Sequence, residues 1–347
     1  VGDEPADLAV GDLDGDGVPD LAVAGAAGVT ALLGDGRGGF GGPRRLRLPE
    51  PSPHRVALGD LDGDGRLDAA VTAHDSTVVT LLRGDGTGGF APFPGSPVAT
   101  GIPGPGHNHG LALADLDGDG ALDLLTGDQD RGAIAVLLGD GRGGFAPAPG
   151  SPVAAGEGVY PLAVGDLDGD GRADVAAPDV VGDRLVLLRG DGRGGLAPFP
   201  GAPIATRPRP FHVALADLDG DGALDLVVSH DDSDRLAIWL GDGEGGLRPA
   251  PDLPLGPGSF KVAVADFDGD GHPDLASGGR DHRVHLVLGA GDGTFRPGPT
   301  LPAGRGPWTV VTADLDGDGR GDLLALATED GTVSVWLQRP PPGPEPR

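Results

Sequence analysis

Short apolar runs broken by turn residues recur along this chain at a spacing of about fifty residues. Each repeat opens with a run such as Val56-Ala57-Leu58, Leu111-Ala112-Leu113, Leu162-Ala163-Val164, Val213-Ala214-Leu215 or Val262-Ala263-Val264. An acidic, glycine-rich loop follows, then a second run such as Leu21-Ala22-Val23 or Leu224 to Val228. A polar turn leads to a third run, as in Val29 to Leu33, Val78 to Leu82 and Leu236 to Leu240. Apolar runs this short, bounded by Gly, Pro and Asp, predict strands. The fourth segment, Ala91 to Pro97 with a near copy at Ala146 to Pro152, is Pro-rich. Proline cannot donate to a central ladder, so this segment suits an outer edge.

The first strand carries a small residue three positions before its loop: Ala9, Ala57, Ala112, Ala163, Ala214 and Ala263, with Val311 in the last repeat. Small side chains there suit an innermost strand, where neighbouring sheets crowd around an axis. Seven such repeats predict an all-β, seven-bladed β-propeller with four antiparallel strands per blade. One domain is expected over residues 1–339, with repeats at approximately 1–50, 51–105, 106–156, 157–207, 208–257, 258–304 and 305–339; residues 340–347 read as a Pro-rich C-terminal tail. No glycine turn follows Val333 to Leu337, so blade 7 is expected to lack a regular fourth strand. Strand direction alternates, which puts the acidic loops and the turns after the third strands on one face.

The acidic loop has a fixed grammar. The first copy is Asp12-Leu13-Asp14-Gly15-Asp16-Gly17-Val18-Pro19-Asp20. Its counterparts place carboxylates at Asp60, Asp62, Asp64 and Asp68; Asp115, Asp117, Asp119 and Asp123; and Asp166, Asp168, Asp170 and Asp174. The last three place them at Asp217, Asp219, Asp221 and Asp225; Asp266, Asp268, Asp270 and Asp274; and Asp314, Asp316, Asp318 and Asp322. Aspartates at loop positions 1, 3 and 5 can converge on one cation, glycine at position 6 permits the bend, and position 9 closes the shell. Position 7 offers a main-chain carbonyl, from Val18, Arg66, Ala121, Arg172, Ala223, His272 and Arg320. Hard oxygen donors in this number suit Ca²⁺ over zinc or copper, and up to seven structural ions are expected. An EF-hand is excluded, because position 12 holds Val23, Val71, Thr126, Ala177, Val228, Ser277 and Ala325 where Glu is needed.

The formal charge of −28 follows from these loops, whose four aspartates in seven copies supply 28 carboxylates. Seven calcium ions would bring it to about −14. With no basic stripe, a nucleic-acid partner is not expected. No apolar run is long enough for membrane insertion. The chain has no Cys, hence no disulfide framework. A second motif, Gly34-Asp35-Gly36-Arg37-Gly38-Gly39-Phe40, recurs from Gly84, Gly139, Gly190 and Gly241 and in altered form from Gly289. It reads as a tight turn with positive φ, since neither a helix nor a Lys-Ser/Thr pair follows for phosphate binding.

Asp-Leu-Asp-Gly-Asp-Gly-x-x-Asp after an apolar strand, with Gly-Asp-Gly-x-Gly-Gly-Phe beyond it, resembles the FG-GAP/VCBS repeat family across essentially the whole chain. That family includes the seven-bladed propeller of integrin α subunits. The resemblance implies that Asp12, Asp14, Asp16, Asp20 and their counterparts ligate calcium. It also implies an extracellular, periplasmic or cell-surface location and a role in adhesion or ligand recognition. Integrins carry such loops in only some blades, whereas all seven have one here, so integrin ligand specificity does not carry over.

A ligand face is sought opposite the loops. Six residues before each first aspartate stand Ala6, His54, His109, Tyr160, Phe211, Phe260 and Trp308, in a chain with only 4% aromatic residues. Turns on that face add His74, Asp128, His230, Asp231, Arg280 and His282, and the crossover into blade 3 carries His107-Asn108-His109. Pairs such as His54 with His74, and His212 with His230, can meet across one blade. The ring either plugs the funnel mouth or forms a recognition surface for sugars or peptides. The leading expectation is a non-enzymatic, calcium-stabilised binding or adhesion module with a protein or glycan ligand. The alternatives are a multivalent lectin and, behind it, a metal-dependent hydrolase or lyase using the histidine-rich face. No HExxH or nucleophile-elbow motif supports catalysis.

Overall fold

The computed structural model describes residues 1, 4–26, 28–50, 52–104 and 106–339. Seven antiparallel sheets are arranged around an axis, each with its strands in chain order from centre to rim. Blade 1 is built from Pro5–Gly11, Asp20–Gly25, Gly28–Leu32 and Arg44–Arg47. The seven inner strands touch in sequence, and Pro5–Gly11 of blade 1 meets Pro307–Ala313 of blade 7, closing the ring.

The second strands are apolar throughout because both of their faces are covered. Successive residues point to opposite faces of a sheet. In blade 2, Ala69 and Val71 pack with Ala22 and Ala24 of blade 1, while Ala70 packs with Leu124 and Leu137 of blade 3. Seven apolar clusters result, one at each blade interface; Leu8, Leu21 and Val23 with Leu315, Leu324 and Leu326 form the one between blades 1 and 7.

The Pro-rich outer segments lie on the rim as expected, but in blades 2 to 5 they are not single strands. In blade 2, Phe90–Pro92 and Val98–Ala99 each pair with Val78–Gly84, and the turn between them interrupts the ladder. Prolines 94 and 97 supply no N–H, and Ser96 Oγ instead accepts from Leu81 N at 2.8 Å. Blade 7 shows three strands among the described residues, Pro307–Ala313, Asp322–Ala327 and Thr332–Trp336. The tail assigned to 340–347 lies outside the described residues. Among the described residues no helix is long and apolar enough to cross a membrane.

Candidate functional site

The two ends of the inner strands define two faces. On one, the acidic loops share a common geometry. Asp12 Oδ1 accepts from Gly15 N at 2.7 Å and Oδ2 from Gly17 N at 2.9 Å, while Asp16 Oδ1 accepts from Val18 N at 2.8 Å. Asp20 is buried, with Oδ2 accepting from Leu13 N and Oδ1 from Gly34 N, both at 2.7 Å. The same pair of bonds recurs at Asp68, Asp123, Asp174, Asp225, Asp274 and Asp322. The ninth position therefore has a structural task that sequence reasoning missed: it ties the loop to the end of the third strand. Burial pushes the Asp20 carboxyl up, its backbone N–H partners oppose that, and Asp14 and Asp16 add to the rise.

Carboxylate oxygens at positions 1, 3 and 9 converge. Those of Asp12, Asp14 and Asp20 lie within 4.8 Å of one another, as do those of Asp60, Asp62 and Asp68, of Asp115, Asp117 and Asp123, and of Asp166, Asp168 and Asp174. Three third-position oxygens, Oδ1 of Asp14, Asp219 and Asp316, are buried with no hydrogen-bond partner among the described residues. A bare buried carboxylate oxygen among other carboxylates is costly, and an all-oxygen donor set of this kind fits calcium. In blades 2 and 4 one arginine spans the third and fifth positions, whereas in blade 6 Arg296 reaches only Asp268, at 2.6 Å. Arg83 reaches Asp62 and Asp64, each at 2.8 Å, and Arg189 reaches Asp168 at 2.6 Å and Asp170 at 2.9 Å.

The glycine turns share this face and join adjacent blades. Gly88 N of blade 2 donates to Leu13 O of blade 1 at 3.1 Å, and Gly143 N of blade 3 donates to Leu61 O of blade 2 at 2.9 Å. Gly143 has φ +80°, and a Cβ there would collide with the Phe93 ring. The turn is thus also a clasp onto the preceding acidic loop.

On the opposite face the aromatic and histidine column forms a continuous arc. His109 stacks on Tyr160 (4.8 Å between centroids, 6° between planes), Tyr160 meets Phe211 at 5.3 Å, Phe211 meets Phe260 at 5.6 Å, and Phe260 stacks on Trp308 at 4.7 Å. Phe260 is 2% exposed and His109 6%, whereas Trp308 is 43% exposed. The cavity enclosed with Ala6, His54 and Arg55 measures only about 50 Å³. That volume holds water, not a sugar ring. The arc is a stopper with one exposed edge at Trp308.

Beneath it lies a polar layer that sequence reasoning did not assemble, one residue further along in five of the seven blades, with Gly110 and Pro161 at that position in blades 3 and 4. Asp7, 3% exposed, is 3.5 Å from Lys261 Nζ and 3.7 Å from Arg55, and its Oδ1 accepts from Thr309 Oγ1 at 3.2 Å. Burial alone would raise the Asp7 carboxyl, but Lys261 and Arg55 outweigh it and hold it below the usual range. His212 belongs to the same layer; burial, then Lys261 and Arg55, depress it to about 3. The signal available was Lys261, the one lysine in a chain of arginines, standing in register with Asp7 and Arg55.

Of the proposed histidine pairs, His54 and His74 do meet, with ring centroids 5.5 Å apart. His212 and His230 take separate partners: His212 Nδ1 accepts from Val262 N at 3.4 Å, and His230 Nε2 lies 3.2 Å from Thr206 Oγ1. Arg280 lies over the Phe260 ring at 5.6 Å and pairs with Asp231. His282 is exposed, with Nδ1 accepting from Gly306 N at 3.3 Å. A cleft of about 490 Å³ opens beside Arg280, lined by Arg207, Asp231, Asp232, Ser233 and Asp234.

The model of the FG-GAP-like repeat matches residues 12–71, 60–126, 115–177, 178–228, 217–277 and 266–325. The chain belongs to the FG-GAP-like repeat family. Similar solved structures share this FG-GAP propeller's fold at low identity. BBS1N, solved in complex with ARL6DN, is 13% identical with a TM-score of 0.70, over 98% of this chain and 94% of that one. A Bacteroides uniformis protein provisionally named a 6-phosphogluconolactonase is 15% identical with a TM-score of 0.70, over 96% and 92%. An Agrocybe aegerita lectin recognising non-reducing terminal N-acetylglucosamine is 20% identical with a TM-score of 0.58, over 85% and 79%.

Proposed function

We propose that this FG-GAP propeller is a non-enzymatic binding module, stabilised by calcium in its acidic loops and working outside the cytoplasm, where calcium is abundant. The observation that carries the calcium reading is the set of orphaned, buried third-position oxygens inside convergent aspartate triads. The first-, third- and ninth-position aspartates would hold the ion, with the fifth position and the seventh carbonyl completing the shell. Bound calcium would supply the counter-charge that lets these carboxylates stay close.

Each site binds the folded blade, so binding adds to stability. At a hundredfold excess over Kd one site adds about 2.7 kcal/mol, and seven independent sites about 19 kcal/mol as an upper bound. We expect EGTA to lower the melting temperature sharply and reversibly, and elemental analysis to find several calcium ions per chain. An unchanged melting temperature in EGTA would overturn the reading.

A glycan ligand is favoured over a purely structural role by the cleft between blades 5 and 6. It combines two guanidinium groups, three carboxylates and a serine hydroxyl, and its Arg280 lies over the Phe260 ring. Polar groups fixed next to an aromatic face suit sugars. The lectin among the similar folds is consistent with this use of a propeller. A glycan array in millimolar calcium tests it: binding lost on Arg280→Ala supports the cleft, and a blank array with folded protein points to a protein partner.

A further inference from the structure

Four histidines from blades 2 and 3 meet beside the axis, away from the acidic loops. His74 stands just after the second strand of blade 2, and His107 and His109 lie on the crossover into blade 3. One ring nitrogen from each of these three lies within 4.8 Å of the other two.

Their outer sides are tied to carboxylates. His74 Nδ1 is 3.1 Å from Asp75 Oδ1, and His107 Nδ1 is 3.2 Å from Asp130 Oδ1. An ionised carboxylate only accepts, so with these partners each Nδ1 donates and each Nε2 keeps a lone pair; His74 Nδ1 also lies 3.1 Å from His107 Nε2, which draws the two rings together through a second nitrogen. Yet these two Nε2 atoms stand 2.7 Å apart. Two lone pairs face each other there unless a cation joins them. His109 adds a third donor: its Nδ1 is bonded to His54 Nε2 at 3.0 Å, and its Nε2 is buried with no partner.

The frame is rigid. Buried Asp128 accepts from His107 N and from Arg131 N, both at 2.8 Å, and Asn108 Nδ2 donates to Ser76 O at 2.6 Å. Tyr160 covers one face of His109. The Asp75 and Asp130 side is open to solvent, with side-chain exposures of 73% and 56%, which gives an ion a way in.

We propose that His74, His107 and His109 bind one divalent transition-metal ion of the zinc class, with His54, Asp75 and Asp130 orienting the ligand rings. Neutral imidazoles suit zinc, copper and nickel, whereas calcium demands oxygen, so this site is chemically separate from the loops. Carboxylates on the outer nitrogens are the usual support for histidine ligands. Tetrahedral zinc with bonds of about 2.0–2.1 Å separates its nitrogens by about 3.3 Å, so His74 and His107 need to part by roughly half an ångström. His74 sits in a surface turn and has that freedom.

The test is zinc titration of the full chain, stripped of metals and refilled with calcium, followed by calorimetry. We expect one zinc per chain, bound about 100-fold more weakly after His107→Ala or His74→Ala and unchanged after His285→Ala. Cobalt(II) added to the unmutated protein reports independently of any variant's folding, and intense visible bands of a low-coordinate nitrogen site are expected. The proposal fails if the calcium-loaded, folded protein takes up neither ion, which would leave a proton shared between His74 and His107 as the occupant. It also fails if uptake survives His107→Ala unchanged.

Discussion

Replacing Asp7 by Asn tests whether the axial layer holds the ring together. The change preserves shape, and the amide oxygen can still accept from Thr309, although the long bond from Val56 N to the other carboxylate oxygen, 3.4 Å, is lost. The main loss is the charge facing Lys261 at 3.5 Å and Arg55 at 3.7 Å. At an effective dielectric of about 20 each such pair is worth about 4 kcal/mol. Desolvation of Asp7 and repulsion between the two cations offset much of this. Removing one partner of a fully buried pair costs about 3–5 kcal/mol, an upper bound here because Arg55 and Lys261 are only partly buried. That is a large share of a net stability of about 5–15 kcal/mol. The assay is urea unfolding in saturating calcium at pH 7, urea being chosen because guanidinium would screen the pair. Lys261→Met in the Asp7→Asn background should cost less than in the wild type, giving a coupling of about 1–3 kcal/mol. A loss below about 1 kcal/mol for Asp7→Asn, or strict additivity in the cycle, would refute the argument.

Other outcomes follow from the same structure. Burial depresses His230 to about 4, against an unfolded value near 6.5. The unfolded chain therefore binds the extra proton below pH 6.5, so stability should fall as pH drops from 6.5 toward 5, and His230→Gln should flatten that slope by up to about 1.4 kcal/mol per pH unit. Arg83 occupies the strand position filled by Leu33, Leu138 and Leu240 in other blades, and it pairs with two aspartates of its loop. An exposed pair is worth up to about 1 kcal/mol, so Arg83→Leu should tighten calcium at loop 2 by up to about fivefold; unchanged binding isotherms would contradict this. Gly143→Ala should destabilise the ring measurably in the same urea assay, through its positive φ and its collision with Phe93.

The blade count, strand order and acidic loops were legible because each repeat spells them out locally. Asp and Gly spacing marks the loop, and a run such as Leu21-Ala22-Val23 marks a strand covered on both faces. The split outer strands were only half legible: Pro94 and Pro97 announced an edge, but not that a turn would break it. The histidine cluster was harder. His54 and His74 were paired as neighbours within blade 2, but His107 joins them from the next blade's crossover, 33 residues from His74 in sequence. The axial layer was marked only by the single lysine, Lys261. Asp7, Arg55, His212, Lys261 and Thr309 share a register but no residue type, so beyond that lysine nothing in the composition links them. Only the closure of the ring makes them neighbours.

The alternation of the second strands has a consequence for how substitutions combine. Ala70 faces blade 3 and Val71 faces blade 1. Residues adjacent in sequence thus act on two different walls of the ring, and their effects should simply add. Residues about fifty positions apart, such as Ala70 and Leu124, share a wall and should compensate for each other's volume. Over generations, the chain is free to drift in pairs that are one blade apart, and least free to drift one residue at a time.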